Sequence, residues 1–429
     1  MLDISRLLSS AWRGYPSGID RVEFAYARHW RQAAPEQCSF VAASLAGGFQ
    51  LFPRKLAFAL LDALGQSLTE GVHGGPGHRR ARILAALGHA LLLSRTGSQA
   101  LLGLVRQRPG SVLVAVSHRS IGQERPIAAL RQAGAAFVPL VHDLIPLTHP
   151  EYSRPDAGVR HRAMLQTIAR EADAVIVNSS ATGQALSAWM QRHKLRCPPL
   201  TAAPLGFDLP ETQPAVCLRP SQPYFVMLGT IEPRKNHIFL LSLWRDLLAE
   251  FGQAAPRLVI IGRNGWESEA VRRMLERRHG LDGLVESRGR VSDQEIAWLV
   301  GGARALLFPS MAEGYGIPMV EALSLGVPAI GADIPALQEV GGGVPELLHP
   351  LDGPGWRAAI LDYMRPDSAR RQAQLDRMAG WRRPDWADHF RVVTAVMNGA
   401  VQERQQRFQV PSIELSAQAP VAAGGRAVS

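Results

Sequence analysis

Cysteine and long apolar runs are both scarce in this chain of 429 residues. Only Cys38, Cys197 and Cys217 occur, and cysteines so far apart form neither a disulfide framework nor a Cys-x-x-Cys metal site, which favours a reducing cytoplasm. No run of about 18 uninterrupted apolar residues is present, and residues 1–6 do not have the pattern of a signal peptide. We therefore expect a cytoplasmic protein that does not span a membrane.

Lysine is also scarce, since only Lys55, Lys194 and Lys235 occur and arginine supplies 44 of the 47 basic residues. Mutational bias in the coding DNA explains the choice of arginine over lysine. It does not explain the net charge of +10, which points to an anionic partner such as a nucleotide or a membrane surface. A nucleic acid is disfavoured as that partner, because no basic stripe interleaved with aromatic residues is present.

Apolar sequence, in contrast, is abundant: 46% of the residues are hydrophobic, which is enough for the cores of two domains. Short β-branched runs alternate with segments of helical period, as in buried parallel strands joined by helices. The strands predicted in this way are 112–116, 137–141 and 174–177, then 224–228, 257–261, 285–289 and 303–308. The pattern predicts an α/β fold with two Rossmann-like domains that face a cleft.

Proline and polar residues between 207 and 223 predict a linker between these domains. We therefore expect an N-terminal domain at 1–206 and a C-terminal domain at 224–383. A helix predicted at 384–407 would pack back on the N-terminal domain. Residues 408–429 hold too few large apolar side chains to pack, so the sequence predicts a disordered tail there.

The strand predicted to end at Phe308 leads into a glycine-containing loop and then into a helix of about two turns. Pro318 suits the first position of that helix, and Gly326 suits the residue that stops it. Amides at the helix start would face the cleft and make an anion site for a diphosphate. The residues that carry these amides are Gly314, Tyr315, Gly316 and Ile317.

Two carboxylates flank this predicted anion site, Glu313 in the loop and Glu321 in the first turn of the helix. Carboxylates repel phosphate, so their presence indicates that they bind hydroxyl groups, one set on a sugar and one on a ribose. The alternative is that both glutamates are solvated and the loop is only a connection.

A second stretch, Gly229 to Lys235, also follows a predicted strand and precedes a helix. Gly229 allows a close approach of the backbone, while Arg234 and Lys235 place two cations at the edge of the cleft. Fixed cations stabilise the negative charge of a leaving diphosphate, and they are unfavourable at a helix start unless an anion is near. The alternative is a solvated basic pair.

The segment 224–345 resembles the nucleotide-binding half of the retaining glycosyltransferases of family 4, which have the two-domain GT-B fold. Glu313 and Glu321 match the E-x7-E motif of that family, and Arg234 and Lys235 match its basic pair. The resemblance implies that Glu321 binds the ribose hydroxyls of a nucleotide-sugar donor. It also implies that Glu313 lies beside the transferred sugar.

Several short segments of the first half are similar to a branch of bacterial family 4 mannosyltransferases that build O-antigen and exopolysaccharide. These segments are 18–22, 141–147, 150–152, 178–180 and 204–206. The resemblance implies GDP-mannose as the donor, with dTDP- and UDP-linked sugars as alternatives, and a growing or lipid-linked saccharide as the acceptor. The family usually has an acidic residue after a glycine where this chain has three glycines, 341–343.

The same resemblance places His142 beside the donor sugar, where it would bind a hydroxyl or stabilise charge at the anomeric carbon. The alternative is a structural histidine bonded to a backbone carbonyl. Asp143 would orient His142 or cap the next turn. Gly14 and Gly18 bracket a loop that we expect to close over the phosphates or the acceptor.

No general base is identifiable, and in retaining GT-B enzymes the departing phosphate oxygen is thought to take the acceptor proton. We expect neither a cofactor nor a metal, because the basic pair can replace a metal. Two other functions stay open. One is a different enzyme on the GT-B fold, such as a sugar-nucleotide epimerase, and the other is a non-catalytic scaffold that binds sugar nucleotides.

A basic cluster at 78–82 precedes an apolar stretch at 83–93. Such a helix would seek an anionic membrane surface, if its apolar residues share one exposed face. The alternative is an ordinary core helix with a solvated basic start. The residues that share one helical face are Ile83, Leu84, Leu87 and Leu91.

Overall fold

The strands of the protein form two sheets, one in each half of the chain, with helices between the strands. The computed structural model describes residues 1–13, 17–44, 47–70, 74–93, 96–209, 219–220, 222–276, 281, 283–289 and 291–409. The architecture is therefore α/β with two Rossmann-like halves, as the alternation of apolar runs predicted.

The first sheet has the order β3-β2-β1-β4-β5-β6-β7, and its pairs are parallel except for β2 with β3. The strands are β1 (Leu2–Asp3), β2 (Phe40–Ala43), β3 (Phe49–Leu51), β4 (Val112–Ala115), β5 (Ala136–Val141), β6 (Val175–Val177) and β7 (Leu200–Ala202). The helices are α1 (Ser5–Arg13), α2 (Gly18–Ala33), α3 (Arg54–Glu70), α4 (Pro76–Leu91), α5 (Thr96–Gln107), α6 (His118–Ile121), α7 (Glu124–Gln132), α8 (Ile145–Thr148), α9 (Ala157–Glu171) and α10 (Ser180–Arg192).

The second sheet has the order β10-β9-β8-β11-β12-β13 and is parallel throughout its described strands. The strands are β8 (Tyr224–Leu228), β9 (Arg257–Ile261), β10 (Val285–Arg288), β11 (Leu306–Phe308), β12 (Ala329–Ala332) and β13 (Glu346–Leu348). The helices are α11 (His237–Phe251), α12 (Glu269–Glu276), α13 (Asp293–Gly301), α14 (Ile317–Ser324), α15 (Pro335–Gly341), α16 (Gly353–Met364), α17 (Ala369–Met378) and α18 (Trp386–Gln409).

The predicted strands are confirmed, and the central ones are buried along their whole length, as parallel strands covered on both faces require. One prediction was too long, because β11 begins only at Leu306 and not at residue 303. The reason is the turn that ends α13, in which the amide of Ala303 donates to the carbonyl of Val300 at 2.9 Å. A residue held in this turn cannot join the ladder of β11.

Both sheets reverse their strand order at one place, between β1 and β4 in the first and between β8 and β11 in the second. In an open parallel sheet, the loops after the two strands at such a switch point diverge and leave a crevice at the carboxyl ends of the strands. The segments after Leu228 and Phe308 therefore border the crevice of the second sheet. These are the two segments in which the sequence analysis found its motifs.

The chain crosses between the two halves twice, and the crossings lie against each other. The amide of Phe207 donates to the carbonyl of Pro384 at 3.2 Å, and a Cβ on Gly206 would lie 2.3 Å from the amide nitrogen of Trp386. Only a glycine therefore fits at position 206 in this crossing. Beyond it, α18 packs against β5 of the first half.

His389 attaches α18 to the first half of the chain. Its Nδ1 lies 3.0 Å from the carbonyl oxygen of Pro204, which only accepts, so Nδ1 carries the proton. Its Nε2 therefore accepts from the hydroxyl of Tyr26 at 2.8 Å, and the ring of Phe390 packs edge-on against Tyr26. The C-terminal helix thus lies on the N-terminal half of the molecule.

Part of the predicted domain division lies outside the described residues, namely 210–218 and 221 of the linker and 410–429 of the tail. Cys217 and Gly14 lie outside them too, whereas Cys38 and Cys197 are free thiols. Across the described ranges, we find no helix that combines the length and the apolar character needed to cross a membrane.

Candidate active site

One cleft between the two halves, of about 460 Å³, collects the described residues that the sequence analysis singled out for donor binding or catalysis, while Gly14 lies outside the described part of the chain. The cleft lies at the switch point of the second sheet and faces the carboxyl ends of the first. The residues brought together are Gly18, His142, Gly229, Arg234, Lys235, Glu313, Gly314, Tyr315, Gly316, Ile317 and Glu321.

The loop after β11 carries Glu313 and ends in α14. Gly316 precedes the helix with a φ of +104°, and a Cβ there would lie 2.5 Å from Leu337, so this turn requires glycine. The helix ends before Gly326, whose φ is +74°, as predicted. Its first residue is Ile317, so Pro318 occupies the second position and not the first.

Glu321 is the fifth residue of α14 and lies in its second turn, so its predicted place in the first turn was wrong. The helix begins one residue before Pro318 and rises by about 1.5 Å per residue, which carries Glu321 past the first turn. The carboxylate consequently lies one turn away from the helix start that the diphosphate was predicted to meet.

Glu313 forms a buried ion triad with the predicted basic pair. Its Oε1 lies 2.5 Å from Nζ of Lys235, and its Oε2 lies 2.7 Å from Nη1 of Arg234. Burial alone would raise the pKa of Glu313, but the two cations outweigh it and lower the pKa to about 2. Glu313 is thus ionised at any physiological pH, and the cations have an anionic partner within the protein.

The backbone around β8 and β9 shapes the floor of this triad. Arg234 also donates to the carbonyl of Ala312 at 2.6 Å, which ties the basic segment to the Glu313 loop. Gly229 has a φ of +146°, and a Cβ on it would lie 3.4 Å from the side chain of Lys235. A Cβ on Gly262 would lie 1.8 Å from the carbonyl oxygen of Gly229, so these two strand ends pass too closely for any larger residue.

Glu321 has different surroundings, and they include a residue of the other half. Burial raises its pKa to about 7; Arg21 lowers that value, while Asp293 raises it. Arg21 donates from Nη1 and Nη2 to the two carboxylate oxygens of Asp293, at 2.7 and 2.5 Å. An ion pair between the two halves therefore lies beside Glu321.

Sequence reasoning missed Arg21 and Asp293 as members of the site. Arg21 belongs to the segment 18–22 of the family resemblance, and Asp293 is the first residue of α13, after the N-cap Ser292. Neither signal indicates that the two side chains meet, because they are 272 residues apart in the sequence.

Gly18 is the first residue of α2, and residues 14–16 of the loop predicted between Gly14 and Gly18 lie outside the described residues. Ser17 caps that helix, since its hydroxyl accepts from the amide of Asp20 and the carboxylate of Asp20 accepts from the amide of Ser17. A Cβ on Gly18 would lie 3.0 Å from Cδ1 of Ile317, so the small residue lets α2 approach α14 closely.

His142 follows β5 and is buried at the edge of the cleft. Its Nε2 donates to the carbonyl of Val116 at 2.6 Å, which is the structural bond that the sequence analysis considered as the alternative. Burial lowers its pKa to about 4, so the ring is neutral and its Nδ1 is an acceptor. Asp143 caps the next turn rather than orienting His142, because its Oδ1 accepts from the amide of Ile145 at 3.1 Å.

Tyr315 lines the cleft but is bonded to the crossing between the halves. Its hydroxyl donates to the carbonyl of Leu205 at 2.9 Å, in the crossing between the halves. Arg263 and Val291 also line the cleft, while residue 290 lies outside the described residues. In the described part of the protein, no group of three histidine, cysteine, aspartate or glutamate side chains is placed to hold a metal ion.

Comparison with known proteins identifies a family match in the second half. Residues 222–365 match the family described as glycosyl transferases group 1. The serotype-specific mannosyltransferase WbdA of Escherichia coli is 31% identical over 229 residues, which cover 50% of this chain and 28% of WbdA. The O-antigen chain mannosyltransferase B of Escherichia coli is 33% identical over 165 residues, 38% of this chain and 43% of that protein. The chain thus spans less than half the length of either relative.

A solved structure supports the fold along almost the whole chain. Anabaena HepE, crystallised with UDP, is 16% identical and superposes with a TM-score of 0.60 over 92% of this chain and 98% of its own. At this identity the likeness concerns the fold alone. Together with the matched family, it shows that this chain has the GT-B fold and carries, at residues 222–365, a domain of the glycosyl transferases group 1 family.

Proposed function

We propose that the protein is a retaining glycosyltransferase of family 4 that moves mannose from GDP-mannose to a growing or lipid-linked saccharide in bacterial polysaccharide synthesis. The observation that carries the proposal is the buried triad of Glu313, Arg234 and Lys235 at the switch point of a group 1 domain. Support for mannose comes from the relatives, two of which are named as mannosyltransferases of Escherichia coli.

The C-terminal side of the cleft would bind the donor in this reaction. The carboxylate of Glu321 would accept hydrogen bonds from the ribose hydroxyls, and the start of α14 would face the diphosphate. Arg234 and Lys235 would stabilise the charge that grows on the diphosphate as the sugar leaves. These groups are fixed before the donor binds, so they need little reorganisation during the reaction.

The protonation states argue against a protein general base. Glu313 has a pKa of about 2 and is paired with two cations, so it is a poor base and a poor nucleophile. His142 donates its Nε2 proton to Val116 and can only accept at Nδ1, for instance from a sugar hydroxyl. We therefore propose that the departing phosphate oxygen takes the acceptor proton and that the sugar keeps its anomeric configuration.

The two cations would also make a metal unnecessary. They place fixed positive charge at the position where a metal would otherwise neutralise a diphosphate. We propose that transfer continues in EDTA at the rate measured without it. A strong loss of activity in EDTA that added Mg²⁺ restores would contradict this part of the proposal.

A donor panel tests the function. Calorimetry with GDP, UDP and dTDP, followed by turnover of the matching sugar nucleotides, should show binding and transfer with the GDP series. NMR of the product should show the same anomeric configuration as in the donor. Binding without turnover would favour a scaffold instead, and a lack of binding by all three nucleotides would overturn the proposal.

The same proposal includes attachment to the cytoplasmic face of a membrane through α4. Ile83, Leu87 and Leu91 are each more than half exposed, and they follow one another at intervals of four along one stripe of the helix. Nearby, Trp12 of α1 is exposed and lies under the guanidinium of Arg82, 5.2 Å from the ring centre. An ordinary core helix would cover such a stripe.

The predicted composition of this face needs two corrections. Leu84 packs against the core. His78 is buried, so the basic part of the face consists of Arg79, Arg80 and Arg82, all exposed. Three such residues contribute about 3 kcal/mol at an anionic leaflet, which predicts weak binding that salt weakens further.

Liposome flotation tests this attachment. Recovery with vesicles that contain phosphatidylglycerol should fall with salt and after Arg79, Arg80 and Arg82 are all changed to Gln. As a matched control, Val159→Gln with Arg162→Gln changes an exposed apolar and an exposed basic residue on α9 and should leave recovery unaltered. Equal recovery with neutral vesicles, or none with either kind, would refute membrane attachment.

A further inference from the structure

On the C-terminal side of Glu313, the loop that carries this residue is held by the N-terminal half of the molecule. The carbonyl of Gly314 accepts from the hydroxyl of Ser179 at 2.9 Å and from that of Thr182 at 3.1 Å. Ser179 is the N-cap of α10, and Thr182 lies in the first turn of that helix. Two hydroxyls of the N-terminal half thus bind the backbone directly after Glu313.

Gly314 lies so close to the end of β5 that no side chain fits at this position. A Cβ on Gly314 would lie 2.1 Å from the carbonyl oxygen of His142 and 2.8 Å from Cβ of Asp143. Asn178 donates to the same carbonyl of His142 at 2.9 Å and so fixes the strand end that the loop touches. The backbone next to Glu313 is therefore in van der Waals contact with the end of β5.

A third contact fixes α10 itself. The carboxylate of Glu339, in α15, accepts from the amide of Ser180 at 2.7 Å and from that of Ala181 at 2.9 Å. An acid at a helix N-terminus satisfies amides that have no partner within the helix and is favoured there by the helix dipole. The first turn of α10 is consequently attached to the C-terminal half at two places, the Glu313 loop and α15.

We infer that Ser179 and Thr182 are positioning residues for the transfer reaction, which set the Glu313 loop through the Gly314 carbonyl when the two halves are closed on each other. The inference rests on the proposed role of Glu313 beside the transferred sugar. It assigns a task to the segment 178–180, which the sequence analysis noted and the proposed site does not use.

The physical reason is that different groups hold the side chain and the backbone of Glu313. Arg234 and Lys235 bind the two carboxylate oxygens, but the main chain on the C-terminal side of Glu313 is oriented by the hydroxyls of the other half. Both hydroxyls are buried, so water cannot readily take their place at the carbonyl. Opening of the halves would break both bonds and release the loop, which would couple a correctly placed Glu313 to closure.

Thr182→Val tests the inference, because it removes the hydroxyl and keeps the shape of the side chain. A displacement of a catalytic group by about 1 Å costs on the order of 100-fold in rate, so we expect kcat to fall roughly ten- to 100-fold. Donor KM should change by no more than about twofold, because the ribose and base contacts are untouched. Thr182→Ser keeps the hydroxyl and should restore most of kcat, and Ser179→Ala combined with Thr182→Val should lower kcat further.

A matched control is Ser187→Ala, which deletes an exposed hydroxyl of the same helix away from the loop. It should leave kcat and KM as in the unaltered protein. A wild-type kcat for Thr182→Val, or an equal loss in Thr182→Ser, would overturn the inference, since the hydroxyl would then be irrelevant.

Hydrogen exchange separates this inference from the proposed function. Thr182→Val should speed amide exchange in the peptide that spans 311–316, whether or not the protein turns over a donor, and Ser187→Ala should not. If the unaltered protein transfers no sugar yet the exchange of this loop responds, the proposed function fails and the loop contact stands. If transfer is normal and neither kcat nor exchange responds, only the positioning role fails.

Discussion

Glu313 lies between two cations of its own half of the molecule, whereas Glu321 lies beside an acid, Asp293, and a cation supplied by the other half, Arg21. The two glutamates are close in the sequence and face one cleft, yet the pKa of the first is lowered to about 2 and that of the second is raised to about 7. Burial acts in the same direction on both carboxylates. The difference therefore comes from the number and distance of the neighbouring charges.

The comparison suggests different tasks for the two acids. Glu313 is ionised at all pH values of interest. In the proposed mechanism it contributes a negative charge at a fixed position close to the reacting sugar. The pKa of Glu321 is about 7, so its carboxylate changes charge near neutral pH. The hydrogen bonds that we propose it makes to hydroxyls therefore depend on the pH and on Arg21, which lowers this pKa. The predictions below alter one environment at a time, beginning with the largest expected effect.

The double variant Arg234→Ala with Lys235→Ala should have the largest effect, because it removes both cations that compensate Glu313. We expect kcat to fall by about 10²–10³-fold for each lost cation, as measured with saturating donor. Stability should fall as well, by about 3–5 kcal/mol in chemical denaturation, because a buried carboxylate loses its partners. Adding Glu313→Gln to the double variant should recover stability but not kcat; recovery of both would show that the cations act only on Glu313.

Glu313→Gln should come next, since it keeps the shape of the side chain and removes the charge. We expect kcat to fall more than donor affinity, because the proposed contact is made at the reacting sugar. Steady-state kinetics together with calorimetry of GDP binding separate the two quantities. Wild-type kinetics in this variant would end the assignment of Glu313 to the site.

Glu321→Ala should mainly raise donor KM. Two ribose hydroxyls would lose a charged acceptor, worth about 1.5–3 kcal/mol for each bond at most. The measurement is donor KM and the dissociation constant of GDP, with Glu269→Gln, which changes an exposed carboxylate of α12 outside the cleft, as the control. A loss confined to kcat would show that Glu321 acts at the sugar and not at the ribose.

The smallest effect should be on the pH dependence of stability, where the two glutamates should change the melting temperature in opposite directions. The pKa of Glu321 is about 7 in the folded protein and near 4.5 as its ordinary value, so the ionised carboxylate destabilises the fold above pH 7. Glu321→Gln should therefore raise the melting temperature at pH 8, with a gain that declines as the pH falls from 7 to below 4.5. Glu313→Gln should lower the melting temperature throughout that range, because Glu313 stays ionised there.

Much of this site was predictable from sequence because its motifs are local. A buried strand, a glycine turn and a helix within a dozen residues predicted the loop of Glu313 and the helix of Glu321, and both are confirmed as elements. The helix predicted between Pro318 and Gly326 has the predicted length, although its start was misplaced by one residue. Local steric rules place such elements regardless of what packs around them.

Other features of the structure could not be predicted from local sequence patterns. Gly18 was predicted only as one end of a loop, and its close approach to Ile317 of α14 depends on how the two halves pack. Leu84 and Leu87 have the same residue type and similar spacing, but one packs on the core and the other is exposed. Periodicity tells which residues share a face, and only the neighbouring helices α1 and α3 decide which face is covered.

By itself the sequence determined the two α/β halves, the strand-end loops and the glutamates and basic pair that those loops carry, because each follows from short-range patterns of apolar, glycine and charged residues. Only the tertiary structure decided which charge meets which. Lys235 reaches Glu313 across 78 residues of sequence, and Arg21 reaches Asp293 across 272. Electrostatic energies depend on distances of a few ångströms between such groups. The distance from Lys235 to Glu313 is set by the folding of the second half, and that from Arg21 to Asp293 by the packing of the two halves.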